Sequence, residues 1–266
     1  NSVTVIDMVI FDSLGHASVN GKWLKSNLDA SFKTYSEELV RNNYSGGMVV
    51  GLAGQNDYSH ESFIEISNKY KNLFPIAGFD PLKELPDSLS LIKNLGFYGI
   101  KIHPRFSGID LKNDQEKLIA CFQACADLGM PIFLCSYFNC SLERMPSYDP
   151  FYELLGILKR CVDTKIIIVH GGGIDLMRYA ELARFNENLL LDLSLVMMKY
   201  QNSSIDSDIK FLMQSFDRRI TIGSDFPEYS LSDIKERFDY LSEGIAIEKK
   251  ENIGFKNILN FLEISL

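Results

Sequence analysis

The chain is short of positive charge. Its 27 Lys and Arg stand against 35 Asp and Glu, a formal net charge of −8. That deficit argues against a nucleic-acid groove or an anionic membrane as partner. No apolar run reaches the length of a membrane span and no signal peptide is evident, so a cytoplasmic protein is expected. The first residue is Asn1 rather than Met, consistent with processing. Cysteines are few and odd in number (121, 125, 135, 140 and 161). Cys121 and Cys125 fall four apart on a helical pattern and Cys161 follows a helical run, which predicts buried thiols in a reducing compartment rather than bridges. No Pro/Gly/Ser linker and no low-complexity tract divides the chain, so residues 1–266 are expected to form one domain. With only four histidines, the place of each one is informative.

What the chain does have is a rhythm. Apolar, β-rich runs recur at intervals of roughly 25–40 residues with helical patterns between them. They are Met8–Asp12, Gly47–Leu52, Phe74–Phe79, Gly99–His103, Pro131–Cys135, Lys165–His170, Leu189–Leu193 and Ile220–Ser224. Most are continuous apolar strings rather than alternating ones, as parallel strands covered on both faces require. The helical patterns fall at Leu28–Arg41, Glu61–Lys71, Leu85–Leu95, Asp114–Leu128, Pro150–Cys161, Ile174–Phe185, Ser204–Gln214 and Leu231–Ser242. Phe255–Leu262 is left over, to pack beneath or beside the sheet. This α/β pattern predicts a (β/α)8 TIM barrel. A doubly wound sheet needs no eighth unit, and its Gly-rich first turn is absent.

In such a barrel the chemistry gathers at the C-terminal ends of the strands. That rule selects Asp12–His16, Gln55–Asp57, Asp80, Lys101, His103, Cys135, His170, Asp192 and Asp225. Asp225 stands out, because Ile220–Ser224 runs into it and Pro227 ends the ladder. A carboxylate at a buried lip is paired, bound to metal or used in chemistry. A helix cap is the alternative, but Ser230 and Ser232 are better placed to cap the next helix. Alternation along strand four puts Lys101 and His103 on one face and Ile100 and Ile102 on the other. A mid-strand Lys there reads as a proton shuttle, an ion-pair partner of Asp80 or Asp225, or a carbamate. Arg105 reads as a contact for a substrate carboxylate or phosphate, or as a surface residue. His16 is an imidazole ligand or a polar loop residue. Cys135 is a ligand, a nucleophile or a core thiol. His170 ends an all-apolar strand before Gly171-Gly172-Gly173, whose amides are a weak anion signal. Tyr137, Phe138, Tyr148 and Tyr200 are candidates to line an apolar pocket.

Four segments together resemble the amidohydrolase superfamily, and most closely its amidohydrolase-2 branch of decarboxylases and lactone or amide hydrolases. They are Ile-Phe-Asp-Ser-Leu-Gly-His at 10–16, Gly-Phe-Tyr-Gly-Ile-Lys-Ile-His-Pro at 96–104, Val-His-Gly-Gly-Gly at 169–173 and Ile-Gly-Ser-Asp-Phe-Pro at 222–227. The resemblance implies a barrel with a divalent metal that activates water. It makes Asp225 a metal ligand and proton acceptor, and His170 a ligand or substrate contact. Two positions depart from it. Leu14-Gly15-His16 stands where the family has His-x-His, and Cys135 stands where strand five usually ends in His. The surviving donors are His16, Cys135, His170 and Asp225, with Lys101 as a fifth, a set compatible with one Zn²⁺ or other divalent ion. Some lactonases of this branch work without metal, and that alternative stands beside the first. Related barrels are often dimers, which makes a homodimer the implied assembly.

The expected function is hydrolysis of an amide or lactone bond in a small, anionic substrate. Asp225 is the base, and His170, Lys101 and His103 polarise the carbonyl. Arg105 and Tyr137 are expected to contact substrate. Non-oxidative decarboxylation on the same site, and an inactive barrel kept for binding, are the alternatives.

Overall fold

Eight parallel strands follow one another around a sheet in strict chain order, β1-β2-β3-β4-β5-β6-β7-β8. They are β1 (Ile10–Gly15), β2 (Tyr44–Val50), β3 (Leu73–Gly78), β4 (Ile100–Ile102), β5 (Ile132–Cys135), β6 (Ile166–Val169), β7 (Leu189–Asp192) and β8 (Ile220–Thr221). The computed structural model describes residues 8–55 and 57–266. The first and last strands meet through backbone bonds: Ser13 N donates to Ile222 O (3.0 Å), Asp225 N to Leu14 O (2.8 Å) and His16 N to Phe226 O (2.7 Å). These bonds close the sheet into the expected (β/α)8 barrel.

Period-two alternation divides the strands' side chains between two cores. Ile100 and Ile102, Ile132 and Leu134, and Ile166 and Ile168 face outward into the layer shared with the helices. Phe133, Ile167, Val169, Leu190, Met48 and Phe11 fill the barrel's interior. Both faces being apolar explains the unbroken hydrophobic runs of the sequence. Ile258, Leu259 and Leu262 belong to the interior cluster. The leftover segment, the helix Asn257–Phe261 and the residue after it, therefore plugs the barrel floor.

The helices form where expected, most with shorter limits. Helix Phe32–Arg41 starts four residues later than its pattern, because Ser31 caps it by accepting from Thr34 N. Helix Leu231–Leu241 is capped by Ser230, as predicted. Short helices at Pro104–Ser107, Val196–Lys199 and Ile247–Glu251 carry too few residues to show a period, and sequence reading missed them. All five cysteines are free, and only Cys140 is not buried. No helix among the described residues is long and apolar enough to cross a membrane.

β8 has only two ladder residues where Ile220–Ser224 was expected. Beyond it the backbone turns to serve the site: Asp225 takes a left-handed φ of 55° and the Phe226–Pro227 peptide is cis. Gly223 is required here, since a Cβ would lie 2.8 Å from both Leu14 N and Ser13 Oγ.

Candidate active site

A buried polar girdle beneath the barrel mouth fixes the strand ends. Asp12 is fully buried and accepts from Ser224 N (2.7 Å), Leu14 N (3.2 Å), Tyr35 OH (2.8 Å) and the Ser224 hydroxyl. Burial outweighs these four bonds and lifts its pKa to about 7. Tyr35 reaches it only because Gly15 and Gly47 flank its path; a Cβ on either would lie within 2.4 Å of the ring or hydroxyl. On the other side, Asp192 accepts from Ser13 Oγ (2.7 Å), from His170 N (3.3 Å) and from the Ser194 hydroxyl. Asp12 and Asp192, selected from sequence as lip residues, thus hold other groups in place.

The girdle orients two imidazoles. His16 Nδ1 lies 2.8 Å from Val50 O, and a carbonyl only accepts, so that nitrogen carries the proton. Its Nε2 is left facing Asp225 Oδ1 at 3.5 Å. Ser194 gives its hydroxyl proton to Asp192, so its oxygen, 3.0 Å from His170 Nδ1, accepts from that ring. Both His170 and Asp225 have positive φ without being glycine. Each such residue costs on the order of 1 kcal/mol or more. Strain of this kind gathers at sites where side-chain direction matters more than stability.

His16, His103, His170, Lys101 and Asp225 all line one cavity of about 410 Å³ at the C-terminal mouth of the barrel. Burial acts to raise the Asp225 pKa, but the charges of His170, His16 and Lys101, with the His16 hydrogen bond, outweigh it and hold the group ionised. Burial likewise opposes charge on His170, yet negative Asp225 and Cys135 lift it above the ordinary histidine value. Cys135 is buried, which favours the thiol, but the His103 and His170 imidazoles beside it hold it well below the usual range. Burial pulls the Lys101 amine down, against the upward pull of Cys135, Asp225 and Asp192. Lys101 lies inward between the outward Ile100 and Ile102, as alternation predicts. Its Nζ has no hydrogen-bond partner among the described residues.

Arg105 and Tyr137 also line the cavity, with the guanidinium 5.1 Å from the ring centre. Lys199 lies 5.5 Å from the same ring, and Arg144 completes the cationic rim. The wall therefore carries Lys101, Arg105, Arg144 and Lys199 against Asp225 and Glu228. Sequence reading missed Arg144, Lys199, Glu228 and Trp23. Trp23 stacks on His16 with ring centres 5.0 Å apart and donates to Glu228. Its being the only tryptophan was the one signal available. The other three lie in loops or a short helix, where no period places a side chain.

Several expectations need correction. Asp80 does not pair with Lys101; it meets Lys83 Nζ at 3.0 Å. Within the triple glycine the Gly172 amide is already used: its N donates to Ser136 Oγ (2.8 Å), and the Tyr179 ring fills the space a Gly172 Cβ would need. Phe138 and Tyr148 line an adjoining cavity of about 430 Å³ instead, while Tyr200 packs against the helix-layer core. Of Gln55–Asp57, Asn56 lies outside the described residues, and Asp57 accepts from Asn20 N (2.6 Å). Of the donor set His16, Cys135, His170 and Asp225, all but Cys135 line the cavity together. Among the described residues no three His, Cys, Asp or Glu side chains are grouped so as to hold an ion. Leu14 adds an apolar wall at one expected donor position, and Lys101 lines the same cavity as His16, His170 and Asp225.

Comparison with known proteins bears on the same features. A family model described as Amidohydrolase matches residues 47–248. A search of curated proteins found no match. Among solved structures, a probable 2-pyrone-4,6-dicarboxylic acid hydrolase from Acinetobacter baumannii with citric acid bound is 17% identical, with 97% of this chain and 100% of that one covered and a TM-score of 0.68. An amidohydrolase from Burkholderia multivorans with bound zinc is 11% identical over 97% and 100% of the two chains, TM-score 0.68. A 2,6-dihydroxybenzoate decarboxylase from Rhizobium is 14% identical over 96% and 98%, TM-score 0.65. At these identities the solved structures speak to the fold. The family model spans most of the chain, from β2 past the helix after β8, and the residues it contains include Lys101, His170 and Asp225. This protein belongs to the amidohydrolase family.

Proposed function

We propose that the protein hydrolyses an amide or lactone bond in a small anionic substrate, with Asp225 as the base. The observation that carries this reading is an ionised carboxylate among imidazoles at the base of a cavity whose rim is cationic. Arg105, Arg144 and Lys199 are suited to a substrate carboxylate, since guanidinium and ammonium groups donate to such oxygens. With the substrate so held, its carbonyl oxygen lies toward Lys101 and His103, which stabilise the negative charge that develops there. A water oxygen attacks the carbonyl carbon while its proton passes to Asp225. Collapse of the tetrahedral adduct breaks the C–O or C–N bond, and the departing oxygen or nitrogen takes up a proton from His170.

Support also comes from the neighbour described as a probable 2-pyrone-4,6-dicarboxylic acid hydrolase. The decarboxylase neighbour favours a second reading, loss of carbon dioxide from a bound carboxylate. That reaction asks Asp225 to deliver a proton to carbon, and a carboxyl held so firmly ionised is poorly suited to the task. The test is turnover of a panel of carboxylate-bearing lactones and amides, with product mass and carbon dioxide both measured. Net addition of water is expected, and Asp225→Asn should lower kcat by at least about 10³-fold while leaving substrate binding within a few fold. Carbon dioxide without water uptake would remove hydrolysis, and an unaffected Asp225→Asn variant would remove the site.

A further inference from the structure

Lys101 is 2% exposed and lines the cavity, and its Nζ is buried without a partner among the described residues. A buried ammonium has three donors to satisfy and is costly when none is used. His16, His170 and Asp225 line the same cavity as Lys101. These are three of the donors that the family resemblance assigns to a divalent metal. The lysine therefore shares its cavity with those donors. On another side Leu14, buried in the barrel interior, offers no ligand at all.

We propose that in this chain the Lys101 ammonium takes the place of the divalent cation, as the fixed positive charge of the site, with its free donors directed at an oxygen of the substrate. An ammonium supplies charge and hydrogen bonds but forms no bond to water oxygen, so ionising the attacking water falls to Asp225. A divalent ion held by those donors meets like charge in the same poorly screened cavity, which weakens its binding by on the order of 100-fold or more. The role toward substrate rests on the hydrolytic reading above; the exclusion of metal does not.

The experiment is a metal titration of the full chain. Wild type, Lys101→Met and Lys101→Arg are equilibrated with excess ZnCl2 or MnCl2 and desalted, and bound metal is measured by elemental analysis. Affinity is then measured by competition with a chromogenic chelator. Wild type and Lys101→Arg, which both keep the charge, are expected to retain far less than one equivalent. Lys101→Met is expected to bind Zn²⁺ on the order of 100-fold more tightly than wild type. Thermal melts with and without Zn²⁺ give a second reading: the metal should raise the Tm of Lys101→Met and leave wild type unmoved. Wild type that keeps one equivalent through chelation overturns the proposal, as does a Lys101→Met protein that binds metal no better than wild type. Because no substrate enters these measurements, failure to find a hydrolysed compound counts against the hydrolytic reading alone.

Discussion

Asp12 and Asp225 lie on the same side of one barrel, both buried, and their environments drive them in opposite directions. Asp12 meets only neutral donors, so desolvation prevails and its pKa rises to about 7. Asp225 meets His170, His16 and Lys101, so charge prevails and its pKa falls. The first shift has a consequence for stability. Between the unfolded value of 3.8 and the folded value of about 7, the native state holds a proton on Asp12 that the unfolded chain has released. Native stability is therefore expected to decline as pH rises through that window and to level off above it. Urea unfolding at several pH values checks this, with Asp12→Asn as reference: the substituted protein should lack that component of the decline. Tyr35→Phe leaves Asp12 with one donor fewer and is expected to cost about 1–2 kcal/mol in the same measurement.

At the scale of elements, the floor and the mouth of the barrel were not equally readable. The strands announced themselves because two-sided burial writes unbroken apolar strings, and the β4 alternation correctly turned Lys101 inward. His16, His170, Asp225 and Lys101 were legible for the same reason, since each ends or interrupts a strand. Arg144, Lys199 and Trp23 were not, because loops follow no repeat and their side chains reach the cavity through turns that only the folded chain defines. The error over β8 has a similar origin. Ile222, Gly223 and Ser224 carry on in sequence like a strand, yet the ladder stops at Thr221 and Asp225 beyond it takes a left-handed φ. The floor makes a clean test of what the closing helix contributes. Ile258 is wholly buried in the interior cluster, so Ile258→Ala is expected to lower unfolding free energy by about 2–4 kcal/mol. Chemical denaturation reads that loss, and kcat should be little changed because the substitution lies at the opposite end from the cavity.

Over the whole molecule, charge is distributed unevenly. A protein of net charge −8 carries a cavity wall with more cations than carboxylates. The bulk repels a small anion and the mouth attracts it, so capture depends on the local field. Raising ionic strength from about 0.01 M to about 0.15 M shortens the screening length from about 30 Å to about 8 Å. For a carboxylate-bearing substrate kcat/KM is expected to change over that range mainly through KM, with kcat nearly constant. Neutralising the rim with Arg105→Gln should reduce the salt sensitivity. A titration of steady-state rates against NaCl concentration checks both.

The seam between β1 and β8 sets the order in which this site can come into being. His16 and Asp225 stand on opposite sides of that seam, and the backbone bonds beside them are the ones that shut the ring. A ribosome still making the seventh strand has produced one half of the pair and nothing for it to face. The meeting of His16 with Asp225 and the completion of the ring are thus a single event, and a chain halted before its eighth strand holds its histidines without that acid.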